Sequence, residues 1–482
     1  MTVDVTGPAI WSGRWAADRL DVKITTDAGV GGLVVEDLVG MALRINPRRA
    51  HLLVSRVLGK HVPADPRLVY GAGRLLGALV ADRLNGRDTD IEISGGSLVA
   101  AALGGVIPEA SADLLAACDA HRASAPTVSA LVLGYAETAT GLGHSVADAL
   151  WADYLHSTRR SVPGLAPVGG FEESHSHATS HLLLPENPTL LAGPRPLVLV
   201  DDELSTGDTV MDTIRAVQAF APRERYLVAS LVDLRSDEDR LRFTAFAERT
   251  GVQVDVVALV TGRIELAPDA LDRGRQLVAR HGGSPLATQP GSGNETLSPP
   301  AAARWPAMVR DGGRHGFRDG ERAGFSAAVA SVARAVLPTL PTQNGARVLV
   351  LATEELMYLP LRIAVELADL LGDNGVTVHF SSTTRSPVTP VDELGCAIRT
   401  AITFSSSDDP VDGPGPRFAY NVAPGVGQEP YETVLLVVDD VSTGWSTDGT
   451  GLPDRVAQVA TGSVTVLTVP SHRPGATSGG AL

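Results

Sequence analysis

Apolar residues follow two rhythms along this chain. From Val128 onward, short aliphatic runs without polar alternation recur at 129–137 (SALVLGYAE), 197–200 (LVLV), 226–234 (YLVASLVDL) and 252–260 (VQVDVVALV). Between them lie stretches whose apolar residues return every three or four positions: 143–155 (GHSVADALWADYL), 209–220 (TVMDTIRAVQAF) and 241–251 (LRFTAFAERTG). A strand that reads apolar throughout is buried on both faces, and helices between such strands supply the cover. The pattern predicts an α/β fold with a parallel sheet and helices on both faces.

The same order returns later in the chain. The first series is LVLGYAETATGLGHSVADAL (131–150), YLHSTRRSVP (154–163) and LVLVDDELSTG (197–207). The second is VLVLATEELMYLPLRIAVELADLL (348–371), VHFSSTTRSP (378–387) and LLVVDDVSTG (435–444). Three landmarks kept in order predict a diverged second α/β copy.

Length divides this picture into regions. A chain of 482 residues exceeds one ordinary core. The Pro-, Ser- and Gly-rich stretch 284–306 reads as a linker unable to hold a regular element, and a softer break falls near 124–126. The expected divisions are an N-terminal region 1–125, a core 126–283, the linker, a second α/β domain 307–470 and a disordered tail 471–482. Charge then excludes partners: a net −15 repels a phosphate backbone and argues against nucleic acid. No apolar run of spanning length occurs, so no membrane segment is expected. The start lacks the basic and apolar regions of a secretion signal, and only Cys118 and Cys396 are present. A cytoplasmic protein is the expectation.

The chemistry concentrates at 197–209. Four aliphatic residues end in adjacent carboxylates, Asp201 and Asp202, then Leu204, Ser205, Thr206, Gly207, Asp208 and Thr209 lead into a helix. Ligands of open α/β sheets bind at this end of the strands. Backbone N–H groups and hydroxyls of the turn suit a phosphate, helped by the positive end of the helix dipole. Gly207 permits close approach. Paired carboxylates suit a vicinal diol, so the two together fit a ribose 5-phosphate. A solvated strand–helix turn with a capping hydroxyl is the plain alternative.

This segment resembles the signature with which type I phosphoribosyltransferases bind 5-phosphoribosyl-1-pyrophosphate (PRPP). The resemblance implies their fold, with an N-terminal hood that reads the acceptor. It places a pyrophosphate loop at Tyr135, Ala136, Glu137, Thr138 and Ala139, joined by Arg159 and Arg160 from the next strand end. The interval FEESHSHATSHLLLP (171–185) stands where the family has a mobile lid. Glu173, His175 and His177 there, with Asp201, Asp202 and Arg159, are the expected catalytic residues. A zinc site on the lid histidines, including His181, is the rival reading. Asp233 and Arg235 resemble an acceptor-side pair of orotate-type members, and Arg48, Arg49 and His61 are hood candidates.

Over nearly the whole chain the likeness narrows to orotate-like phosphoribosyltransferases with a C-terminal TRSP domain, encoded with bacterial tellurite-resistance stress genes. INPRRAHLLVSRVLGKHVP (45–63), EESHSHATSHLL (172–183) and TTRSP (383–387) carry it. The resemblance implies transfer of ribose 5-phosphate from PRPP to a small-molecule acceptor, with Mg²⁺ held by Asp201 or Asp202 and PRPP. It leaves a homodimer open. The second copy has one residue fewer between its acids and Thr-Gly, so Arg385 and Asp440 are expected as a second-domain site without catalysis. Three rivals stay beside this: a PRPP sensor without turnover, a nicotinamide oxidoreductase suggested by Gly71, Gly73 and Gly77 in VYGAGRLLGALVAD (69–82), and a scaffold or interaction module, which would leave the acid pair unexplained.

Overall fold

A computed structural model describes residues 10–46, 48–105, 107–162, 164–172, 180–282, 296–405, 415–440, 449–472 and 474. The N-terminal part runs through α1 (Arg14–Leu20), β1 (Val22–Gly29), α2 (Val35–Leu38), β2 (Val39–Arg44), β3 (His51–Ser55), α3 (Pro66–Asn85), α4 (Ile91–Gly104) and α5 (Ala110–Ser124). The central part follows as β4 (Leu131–Gly134), α6 (Thr140–Leu150), β5 (Asp153–His156), β6 (Gly169–Glu172), β7 (Ser180–Leu183), β8 (Leu197–Leu204), α7 (Asp208–Phe220), β9 (Arg225–Asp233), α8 (Asp237–Thr250), β10 (Gln253–Leu266) and α9 (Ala270–His281). The C-terminal part holds β11 (Thr296–Leu297), α10 (Arg322–Val336), β12 (Arg347–Ala352), α11 (Tyr358–Gly372), β13 (Thr377–Ser382) and β14 (Val388–Thr389). It closes with β15 (Ala401–Ser405), β16 (Pro416–Tyr420), β17 (Thr433–Asp439), α12 (Leu452–Ala457) and β18 (Ser463–Val469).

The main sheet has the order β1-β10-β9-β8-β4-β5, parallel except for β1 against β10. The second sheet has the order β11-β18-β17-β12-β13, parallel throughout. Matching β9-β8-β4-β5 to β18-β17-β12-β13 gives the same neighbours, sense and chain order. The internal echo in the sequence is therefore an architectural repeat. Leu197, Val198, Leu199 and Val200 of β8 and Val434, Leu435, Leu436 and Val437 of β17 are fully buried. Each such side chain contributes ~1.5–3 kcal/mol of transfer free energy, which fixes both runs in sheet centres.

The N-terminal region is woven into both halves. Its β1 closes the main sheet, and its β2–β3 hairpin pairs with β14, so this small sheet is shared with the C-terminal part. Pro66 at the first position and the Asp65 carboxylate, which accepts from the Arg67 N–H, start α3; Gly86 in the left-handed region ends it. The dinucleotide-like glycines lie inside this helix, not in a strand–helix turn. A Cβ on Gly73 would stand 2.5 Å from that of Ser145, and one on Gly77 would stand 2.6 Å from that of Ala149. They let α3 and α6 touch, which removes the oxidoreductase reading of that motif.

The stretch expected to be a structureless linker differs over its described part. Thr296 and Leu297 pair with Val464 and Thr465, and Ala303 and Trp305 are buried. Trp305 meets Phe325 edge-on with centroids 5.3 Å apart. Apolar side chains among the prolines found a core to enter. One apolar cluster runs through both halves. At their seam His144 of α6 stacks flat on Tyr358 of α11, 3.7 Å between centroids. Asp148, one turn further, accepts hydrogen bonds from Tyr70 (2.8 Å) and Tyr358 (2.6 Å) and pairs with Arg322.

Candidate active site

From β4 the chain passes to β5 on one side, while β8 lies on the other, so the β4–β8 crevice is the switch point of the main sheet. Pairing between them ends at Gly134 with Val200. Beyond it β8 continues to Leu204 along β9 alone, while the chain leaving β4 turns off into the loop 135–139. Asp201, Asp202 and Glu203 thus stand past the last β4 contact, at the crevice mouth. Successive strand residues face opposite sides. Accordingly the Asp201 charge acts on the Tyr135 hydroxyl, whereas Asp202 interacts with Lys60 and Arg49. Burial and the neighbouring Glu203 push the Asp202 carboxyl up, with Lys60 opposing.

The turn after β8 has the geometry an anion needs. Gly207 adopts φ 83°, and a Cβ there would meet the Phe243 ring at 3.0 Å. The first bond closing α7 runs from Met211 N–H to Gly207 O, so the N–H groups of Thr209 and Val210 precede the helix ladder. Thr206 donates to Asp208 Oδ2 (3.0 Å), and Asp208 pairs with Arg242 at 2.8 Å. Ser205, Thr206, Asp208 and Thr209 are half-buried, while Leu204 and Gly207 are buried.

The loop Tyr135, Ala136, Glu137, Thr138 and Ala139 faces this turn across the crevice. Tyr135 donates to Thr213 of α7 (3.0 Å), and Ala136 N–H donates to Ser157 Oγ (2.9 Å). Glu137 is buried, and three groups from outside the core converge on it. Lys60 after β3 bonds it at 2.6 Å, Thr384 after β13 donates at 3.1 Å, and Arg385 approaches to 3.6 Å. Burial alone would raise this carboxyl, but Lys60, Arg385 and Arg159 outweigh it and hold it well below its usual value. Arg385 also bonds Glu354 at 2.9 Å, and Arg417 bonds the same carboxylate at 2.6 Å. The expected second-domain residue Arg385 therefore stands beside the main-sheet site.

Other expected residues are distributed differently. The Arg159 N–H bonds Glu355 at 2.8 Å, and Thr158 Oγ1 donates to the same carboxylate at 2.7 Å. Arg160, expected at the pyrophosphate, bonds Asp439 at the end of β17 (2.5 Å). Asp233 and Arg235 bond each other through two contacts of 2.9 Å, and Arg235 lies over Phe243. Arg235 also packs against the turn after β8, its Cδ 3.6 Å from where a Cβ on Gly207 would stand. Asp440 accepts from the Ser471 N–H at 3.0 Å. Glu173, His175 and His177 lie outside the described residues. His181 is buried on β7, sharing a 2.8 Å hydrogen bond with Ser157. No group of three or more metal-ligating side chains occurs among the described residues. Nor is any helix among them long and apolar enough to cross a membrane. Of the hood candidates, Arg49 reaches Glu203 at 2.6 Å, Arg48 N–H bonds Asn46, and His61 is buried. Sequence reasoning missed Lys60, Glu203, Glu354, Glu355 and Thr384. Lys60 adjoins His61, but nothing local marks a partner 77 positions away.

Parallel sheet, switch-point crevice, acid pair and glycine turn define an α/β protein of the type I phosphoribosyltransferase fold. A family described as phosphoribosyl transferase matches residues 38–263, and the TRSP domain that follows that family matches 311–450. Together they cover more than half of the chain, which belongs to this phosphoribosyl transferase family with a C-terminal TRSP domain. No curated protein matches. Among solved structures it is similar to three adenine phosphoribosyltransferases. The Trypanosoma brucei enzyme, solved with AMP, pyrophosphate and ribose-5-phosphate, is 15% identical at TM-score 0.22, covering 30% of this chain and 66% of that one. The Giardia lamblia enzyme is 18% identical at TM-score 0.21, covering 31% and 83%. The Rhodothermus marinus enzyme is 18% identical at TM-score 0.21, covering 32% and 81%.

Proposed function

We propose that this protein transfers ribose 5-phosphate from PRPP to a nucleobase or base-like small molecule and releases pyrophosphate. The observation that carries the proposal is the acid pair Asp201–Asp202 past the end of β4, followed by the Gly207 turn into α7. In this reading the 5-phosphate occupies Leu204, Ser205, Thr206, Gly207, Asp208 and Thr209. The ribose hydroxyls bond Asp201 and Asp202, and the pyrophosphate lies along Ala136, Glu137, Thr138 and Ala139 with Arg159.

The donor set fits Mg²⁺. Asp201 and Asp202 are hard oxygen donors at the crevice mouth, and with fewer than three protein ligands a metal would complete its shell from substrate oxygens and water. Mg²⁺ bound there would neutralise charge on the leaving pyrophosphate. The residues do the rest. The bond from C1 to pyrophosphate oxygen breaks as positive charge grows on the ring, and the acid pair stabilises that charge in a water-poor crevice. The acceptor nitrogen forms the new bond from the opposite face. A hood reaching the acids through Arg49 is suitably placed to read the acceptor.

The setting we propose is the cytoplasm, in keeping with two buried free cysteines, within a biosynthetic or stress-linked pathway. Incubating the full chain with labelled PRPP, Mg²⁺ and a metabolite extract tests the function. A labelled product with stoichiometric pyrophosphate supports it; PRPP recovered intact across extracts would reject transfer.

A further inference from the structure

The two halves face each other with reciprocal bonds. Each sheet sends a five-residue loop from its β4-type strand into the following helix: residues 135–139 before α6 and 353–357 before α11. The third residue of each is a buried glutamate, Glu137 or Glu355. Each β5-type strand is also followed, after one intervening residue, by a Thr-Arg pair, Thr158–Arg159 or Thr384–Arg385. The pairs are exchanged: Thr158 donates to Glu355 at 2.7 Å, and Thr384 donates to Glu137 at 3.1 Å. The arrangement is an approximate twofold between copies of one fold within a single chain.

The sides are unequal in what surrounds them. Glu355 receives Thr158, the Arg159 N–H and Arg314, and with Arg314 it lines a small cavity bordered by His144, His156 and Tyr358. Glu137 sits in the loop that faces Asp202, and Lys60 lies in the fields of both. At the second copy, Asp439 of the acid pair is taken by Arg160. The symmetry is broken in favour of one site, and the second copy contributes side chains to it.

We propose that Thr384 and Arg385 of the C-terminal domain are positioning residues for the pyrophosphate loop of the main-sheet site. They act through Glu137, holding residues 135–139 in the form that receives the pyrophosphate group, so that the binding unit is both halves of the chain. This rests on the PRPP reading above. A carboxylate pinned on three sides cannot swing into the crevice, where it would repel a pyrophosphate. The hydroxyl of Thr384 supplies direction, and Lys60 and Arg385 supply the compensating charge.

The test uses the full chain and three ligands, PRPP, pyrophosphate and ribose 5-phosphate, each titrated with Mg²⁺. Thr384→Val removes the donor at nearly constant volume. Loss of a hydrogen bond to a charged group predicts Kd values for PRPP and pyrophosphate about tenfold weaker. Ribose 5-phosphate, held by the turn after β8, which Thr384 does not touch, keeps its wild-type Kd. Thr384→Ser restores all three. Arg385→Gln, which removes the charge facing Glu137, is the second variant and gives the same selective loss where Thr384→Val does not fold. Equal weakening of all three ligands would show a merely structural role and overturn the proposal; unchanged pyrophosphate binding in a folded variant would do the same. Failure of the PRPP reading is separately visible, because wild type would then bind none of the three.

Discussion

Thr384 donates its hydroxyl hydrogen to Glu137 across 247 positions of sequence, from the end of β13 to the loop leaving β4. That bond joins the Thr384-Arg385-Ser386-Pro387 segment of the C-terminal part to the loop at the crevice of the main sheet. Lys60 meets the same oxygen from the N-terminal region. Three parts of the chain thus converge on one buried carboxylate, and their charges outweigh the cost of burying it. A domain that only followed the phosphoribosyl transferase part in sequence would have no reason to make this contact.

The acid pair gives the most direct prediction for turnover. Asp201→Asn combined with Asp202→Asn removes both charges without changing side-chain size. Both residues are only half-buried at a strand end, so the apolar core beneath them stays intact. Turnover of PRPP should fall by ~10²-fold or more, the scale on which a preorganised electrostatic group acts, while the thermal transition moves little. Pyrophosphate release by the double variant at the wild-type rate would refute the role of the pair.

Much of this was legible in the sequence, and the misses have physical causes. The run 197–200 is buried on both faces, so it had to be apolar throughout, and the polar residues after it had to stand at the crevice mouth. The repeated landmarks at 348–371, 378–387 and 435–444 foretold the second sheet for the same reason. The helical pattern at 143–155 ran too far, because Trp151 turns left-handed (φ 51°) and closes α6 at Leu150. The next residues then enter the sheet as β5. Gly73 and Gly77 resembled a phosphate turn, but glycine serves helix contact as well as anion approach. Lys60 and Thr384 were invisible because a buried ion pair or hydrogen bond between distant segments leaves no periodic or local trace. Arg160 misled for a related reason: an arginine near an expected anion site reads as its ligand until a buried carboxylate claims it.

Gly207 is under two constraints at once. Its φ of 83° penalises any side chain, and a Cβ there closes to 3.0 Å on Phe243. Gly207→Ala should cost ~1–2 kcal/mol of stability from the left-handed backbone. It should also weaken ribose 5-phosphate binding by crowding the turn. Urea denaturation with ribose 5-phosphate titration separates the two effects. A folded variant with wild-type ribose 5-phosphate affinity would show that the phosphate sits elsewhere.

The Arg160–Asp439 pair should behave as a buried ion pair. Asp439 is 1% exposed and Arg160 8%, and they meet at 2.5 Å. Removing one partner strands the other charge, so Asp439→Asn or Arg160→Met alone should cost ~3–5 kcal/mol. The double change Arg160→Met with Asp439→Leu removes both charges and should recover most of that loss. Denaturation of the full chain measures all three, and additive single losses would mean the residues are not coupled.

Acid should destabilise the protein well above the range where carboxylates protonate. Burial pushes His51 and His61 down to about 3, helped by Arg49 and Lys60 respectively, and burial pushes His156 and His379 down to about 4. The folded state therefore keeps these rings neutral, whereas the unfolded chain protonates them near their ordinary value of about 6.5. Below that point the unfolded state binds more protons, so stability falls as pH drops. Each ring contributes a slope of up to ~1.4 kcal/mol per pH unit until its folded value is reached. Denaturation midpoints should be flat above about pH 7 and decline steeply between about pH 6.5 and 4. His379→Gln removes one such group from β13, far from the acid pair, and should make the decline shallower by one proton's worth. A wild-type profile level down to pH 5 would mean that these rings are not held neutral by the fold.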